Sequence, residues 1–99
     1  MFNIELGFNS TDLKVDLVER TSYNDDCRSF YYEIAGRFYI LYVDFKDVEE
    51  REHESNPRYM VLGAVNEGDE LDREIYPLDY SELLLRTDCT RSLINYINA

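Results

Sequence analysis

The chain has 99 residues, of which 21 are acidic and 10 basic, giving a net charge of −11 and a sequence pI near 4.3. A field of that sign repels nucleic-acid phosphates and anionic lipid, so it argues against direct nucleic-acid or membrane binding and for a basic partner. With 44 % hydrophobic residues the chain can still build a core, burying roughly 60–70 % of its unfolded surface as one domain over 1–99, and is no disordered acidic tail.

In chain order, residues 2–8 alternate. Phe2, Ile4, Leu6 and Phe8 fall on one side and Asn3, Glu5 and Gly7 on the other, as in a half-buried strand. A turn signal, Asn9 to Asp12, follows, and Leu13, Val15 and Leu17 resume the alternation, which predicts an N-terminal hairpin. The polar cluster Ser22, Asn24, Asp25 and Asp26 then interrupts regular structure. A third strand is expected over 30–34, and a fourth over 37–45, joined by a tight turn in which Gly36 supplies positive φ. The fourth contains the longest apolar run, Phe38 to Val43, whose aromatic and β-branched side chains suit a central strand covered on both faces. Asn56 and Pro57 open a fifth strand over 58–65, because proline is tolerated at the first residue of a strand. Residues 66–69 are the next turn signal, and 71–76 is a candidate edge strand.

The period changes at the C-terminus. Asp79 and Glu82 have the spacing of a helix N-cap and its capping box, and Leu83, Leu84, Leu85, Leu93, Ile94 and Ile97 recur near helical spacing. Thr87 to Thr90 interrupts that pattern, and Asp88 is placed to cap a second helix over 89–98. The expectation is an α+β domain: an antiparallel sheet of five to six strands, an N-terminal hairpin and then a meander, with one or two C-terminal helices on one face. Strands four and five present apolar residues on both faces while only one helical segment is available. Either the N-terminal hairpin covers the second face, or that face stays open and rich in tyrosine, as an interface is.

The charge is concentrated. Asp47, Glu49, Glu50, Glu52 and Glu54 stand against Arg51 alone, and Glu67, Asp69, Glu70, Asp72 and Glu74 against Arg73 alone, so two short segments carry −8 of the total. A single histidine, His53, and two distant cysteines, Cys27 and Cys89, lack the spacing of a zinc site or a redox pair, and 67–72 lacks that of a calcium loop. There is no nucleophile elbow and no phosphate-binding glycine loop, so neither an enzyme nor a cofactor is expected. The absence of a signal peptide or an apolar span points to a cytoplasmic protein with reduced thiols. The composition favours a small acidic inhibitor that blocks a basic partner. Candidates are an immunity protein or antitoxin facing a nuclease toxin, or a nucleic-acid mimic of the anti-restriction or anti-CRISPR kind. The ten carboxylates of the two segments are the expected contacts, with Tyr59 and Tyr76 as anchors. The alternatives are a structural or regulatory domain that self-associates, as a homodimer, and is acidic for solubility only, and a hydrolase built on paired carboxylates.

Overall fold

The computed structural model describes residues 4–22, 25–78 and 83–99. The expected α+β arrangement is present. Strands β1 (Val18–Glu19), β2 (Arg28–Ile34), β3 (Arg37–Val43), β4 (Tyr59–Asn66), β5 (Ile75–Pro77) and β6 (Leu83–Thr87) form one antiparallel sheet, and helix α1 (Thr90–Asn98) closes the chain. The order is β1-β2-β3-β4-β5, with β6 also on β4. β5 and β6 share the outer edge of β4. Ala64 pairs with Pro77, Leu78 bonds Gly63, and Leu62 pairs with Leu83. The ladder therefore runs on along β4 from β5 to β6.

Of the one or two helices expected at the C-terminus one forms, and Leu83 to Leu85, expected in a helix, lie in strand β6. Leu83, Leu84 and Leu85 are strong helix formers, but β4 has a free edge of backbone donors and acceptors that must be satisfied, and pairing wins over local propensity. A register shift between Val61 and Leu62 absorbs the extra residue. The Asp79 cap and its box with Glu82 lie outside the described residues. The second helix forms as expected, except that Cys89 takes the N-cap position. Asp88 turns away and accepts from the backbone of Arg58 at 2.6 Å and from the Arg51 guanidinium at 3.2 Å.

The N-terminal hairpin is also overturned. Residues 4–17 contain no strand, only a 3-10 turn at Ser10–Asp12. Their alternation instead reflects a chain laid across one face of the sheet, with Ile4 and Leu13 buried and Leu6, Phe8, Val15 and Leu17 packed beside them. Side chains do the work a ladder would do. Arg28 donates to the Ile4 carbonyl, Arg58 to that of Glu5, Tyr59 to that of Leu6, and Asn98 bonds both Asp12 and Lys14. Gly7 has φ +85°, and a Cβ there would collide with the Tyr59 hydroxyl, so only glycine lets this segment close down.

The main core lies under that segment. Register places Phe30, Leu41, Val61 and Leu85 in one row, with Tyr32 and Tyr39, and Val43 and Tyr59, in the rows beside it. Leu93 and Ile97 of α1, four residues apart, seal the same face. Burying each contributes roughly 1.5–3 kcal/mol. The N-terminal segment and the helix thus share one face, so of the two alternatives the one in which the N-terminal residues cover the second face does not hold.

The opposite face is closed by the sheet itself. Ile40 and Leu62 are fully buried there, and Ile75 nearly so. The Arg20 side chain, just after β1, donates to the Ile75 carbonyl of β5 at 3.1 Å and so bridges the two edges of the sheet. Arg73 folds over the Phe38 ring and pairs with Glu33 of β2 at 3.4 Å.

Candidate functional site

The two acidic segments connect β4 to its neighbours and are built differently. Between β3 and β4, Asp47 caps a 3-10 turn at Val48–Glu50 by accepting from the backbone of Glu49. Arg51 then turns inward. Its guanidinium donates to the carbonyls of Phe45 and Asn56, each at 2.7 Å, to that of Lys46 at 3.2 Å and to Asp88, with its side chain only 2 % exposed. The only cation at the centre of this run is spent on shaping the loop. Asp47, Glu49, Glu50, Glu52 and Glu54 are all exposed, as is His53.

Between β4 and β5 the chain makes a tight acidic hairpin. The backbone of Glu67 bonds that of Glu74, Asn66 accepts from Gly68 and Glu74, and Asp69 accepts from Leu71 and Asp72. Arg73 leans back onto Phe38 and Glu33, so Glu67, Asp69, Glu70, Asp72 and Glu74 are again left exposed, with Leu71 fully exposed at the tip. β5 begins only at Ile75, so the charges of 71–74 do not run back along the sheet edge toward the first segment. The eight residues of β4 hold the two segments about 24 Å apart. They form two acidic poles, not one surface.

The pole at 47–54 gathers carboxylates that are remote in sequence. Glu52 hydrogen-bonds Asp26 side chain to side chain, and this contact, reinforced by the Asp26 charge, raises the Glu52 carboxyl above its ordinary range. With Asp44 these acids line a slot of about 260 Å³ whose other walls are Cys27, Tyr42, Asn56, Pro57, Arg58 and Met60. Burial, then the charges of Asp44, Asp25, Asp26 and Glu52, push the Cys27 thiol up to about 12. Glu5 joins Asp47 and Glu50 around a neighbouring crevice. Asp26 and Asp44 were not legible as site residues. Asp26 reads as part of a turn and Asp44 as the end of a strand, and only the pairing of β2, β3 and β4 brings them to Glu52.

The two expected aromatic anchors part company. Tyr59 is fully buried, its hydroxyl bonded to the Leu6 carbonyl and to Thr90, so it is a core residue and offers no surface to a partner. Its place in the alternation of strand five was compatible with either face, and the N-terminal segment decided which. Tyr76 is 46 % exposed, opposite Val65 at the base of the acidic hairpin.

Among the described residues no group of three or more histidine, cysteine or acidic side chains is arranged to hold a metal ion. No helix among them is long and apolar enough to cross a membrane. No family model, curated protein or solved structure matches this chain.

Proposed function

We propose that this protein is a small acidic binding protein of the cytoplasm that occludes a basic macromolecular partner. It would act like an immunity protein or antitoxin facing a nuclease toxin, or like a nucleic-acid mimic blocking a nucleic-acid-processing complex. It works by binding and has no turnover of its own. One observation carries this reading: the lone arginine of each acidic segment is engaged elsewhere, Arg51 buried beneath its loop and Arg73 laid over Phe38 and paired with Glu33, while all ten acidic residues are exposed. Charges placed for solubility alone gain nothing from withdrawing the neighbouring cation, as Arg51 is withdrawn in the first segment, whereas a surface meant for lysine and arginine does.

The pole at 47–54 supplies the more specific contact. A slot with carboxylates at its rim and with Tyr42, Pro57 and Met60 as walls suits a lysine or arginine side chain, whose hydrocarbon stem packs on apolar surface while its head is ion-paired. A partner's cation there also relieves the repulsion between Asp26 and Glu52. The surrounding carboxylates accelerate association more than they deepen affinity, toward ~10⁸–10⁹ M⁻¹s⁻¹ at low salt. Two free thiols, Cys27 and Cys89, suit a reducing compartment.

The test is capture from the cells that make the protein, with elution by a salt gradient and identification by mass spectrometry. The expected result is a basic protein released by salt and not retained by a variant reversed at Glu49, Glu50 and Glu52. Retention of that protein by the reversed variant would refute the reading.

A further inference from the structure

The opposite pole has an apolar partner surface of its own. The N-terminal segment and α1 cover the main face of the sheet only as far as Tyr32 and Tyr39. Beyond them, toward the Ala35–Gly36 turn, lies an open groove of about 580 Å³ lined by Tyr39, Gly63, Val65, Leu78, Leu84 and Tyr96. Leu78, Leu84 and Tyr96 are 54 %, 41 % and 37 % exposed. Three large apolar side chains converging on one concavity differ from singly scattered surface residues, which need no explanation.

The charge beside the groove identifies its occupant. Its wall ends at Asn66, and the next residue opens the hairpin that carries Glu67, Asp69, Glu70, Asp72 and Glu74. The cation of that hairpin is turned to the opposite face of the sheet, over Phe38. One basic side chain, Arg37, stands on the groove's own rim. We infer that this groove and the hairpin together bind a short basic amphipathic segment of a protein, its apolar side chains seated on Leu78, Leu84 and Tyr96 and its lysines or arginines on the hairpin carboxylates. This deepens the proposed function by giving the basic partner a second point of attachment, and two such contacts on one chain raise avidity without strengthening either.

The probe is a synthetic peptide of about twelve residues in which leucine alternates with lysine, titrated into the full ¹⁵N-labelled chain and followed by NMR. Expected is a saturable shift of the amides of Tyr39, Gly63, Val65, Leu84 and Tyr96. Leu84→Asp, an exposed position, should weaken binding about tenfold or more, the effect of losing one apolar anchor. Leu78→Asp should act alike, with thermal melts confirming that both variants are folded. Arg37→Glu should tighten binding, and Asp69→Lys with Asp72→Lys should weaken it. Reversal of Glu49 and Glu50 at the other pole should leave it unchanged, so this inference and the proposed function fail separately. Equal binding of an all-lysine peptide, indifference to both leucine substitutions, or no saturable shift at millimolar peptide would each overturn it.

Discussion

Replacing Arg51 with methionine removes the group that shapes the first acidic loop. The guanidinium serves three backbone carbonyls and Asp88 from a nearly solvent-free position. Asp88 is 64 % exposed, so the ion pair itself is worth only ~0–1 kcal/mol. The three carbonyl bonds come from a charged donor and contribute roughly 1 kcal/mol or more each, and losing them strands acceptors that water reaches poorly. Methionine keeps the stem packing and removes the desolvation cost of a buried cation, which returns ~1 kcal/mol. The net loss is about 3 kcal/mol, or roughly 12–24 °C in melting temperature for a domain of this size. Arg51→Lys should recover less than half, because one ammonium cannot reach acceptors on Phe45, Lys46 and Asn56 together. Asp88→Asn should stay within ~1 kcal/mol of the parent. Thermal and urea melts read all three. A loss below 1 kcal/mol in Arg51→Met would mean that the loop is shaped by something other than this cation.

Three further outcomes are expected. Ala35 sits at φ 51° in the two-residue turn with Gly36 at φ 81°, a conformation alanine adopts at a cost. Ala35→Asn should therefore stabilise by ~1 kcal/mol, and a lower melting temperature would contradict that. The thiols should differ in reactivity. The Cys89 thiol is held below its ordinary value, chiefly by the Ser92 side chain and then its backbone N–H, while Cys27 is half-buried and pushed up to about 12. Alkylation near pH 8 should favour Cys89 by about 10³ or more, and rates within tenfold of each other would refute the assignment. Glu52, finally, binds its proton more tightly in the folded chain than in the unfolded one. Whatever stability this contact lends is present at pH below the ordinary glutamate range and is lost as pH rises through the raised folded value. An NMR titration should find Glu52 above that range and Asp26→Asn returning it there. An unchanged midpoint in the variant would assign the shift to another cause.

The parts of the fold that were legible are those where local pattern and global pairing agree. Phe38 to Val43 could only be a central strand, and the glycine beside Ala35 marked its turn. The alternation of Ile4, Leu6, Phe8, Leu13, Val15 and Leu17 correctly signalled apolar contact with the core, yet it could not say whether the backbone would be satisfied by a neighbouring strand. Arginine, tyrosine and asparagine side chains far along the chain satisfy it instead. The leucines at 83–85 carried helical propensity, and the unpaired edge of β4 that overrode it is invisible until the sheet is assembled. The two acidic runs could be read directly from the sequence, as could their separation along strand five. The burial of Arg51 and the packing of Arg73 on Phe38 could not, because an arginine among acids looks like a free surface counter-ion until its partners are in place.

Occlusion of a cationic partner is measured most directly on the captured partner itself. Its activity is assayed with increasing amounts of this chain, first at low and then at high ionic strength, beside the variant reversed at Glu49, Glu50 and Glu52. Stoichiometric inhibition that weakens with salt and disappears in the variant is the expected result. Full inhibition by the charge-reversed chain, or binding that leaves the partner active, would contradict it.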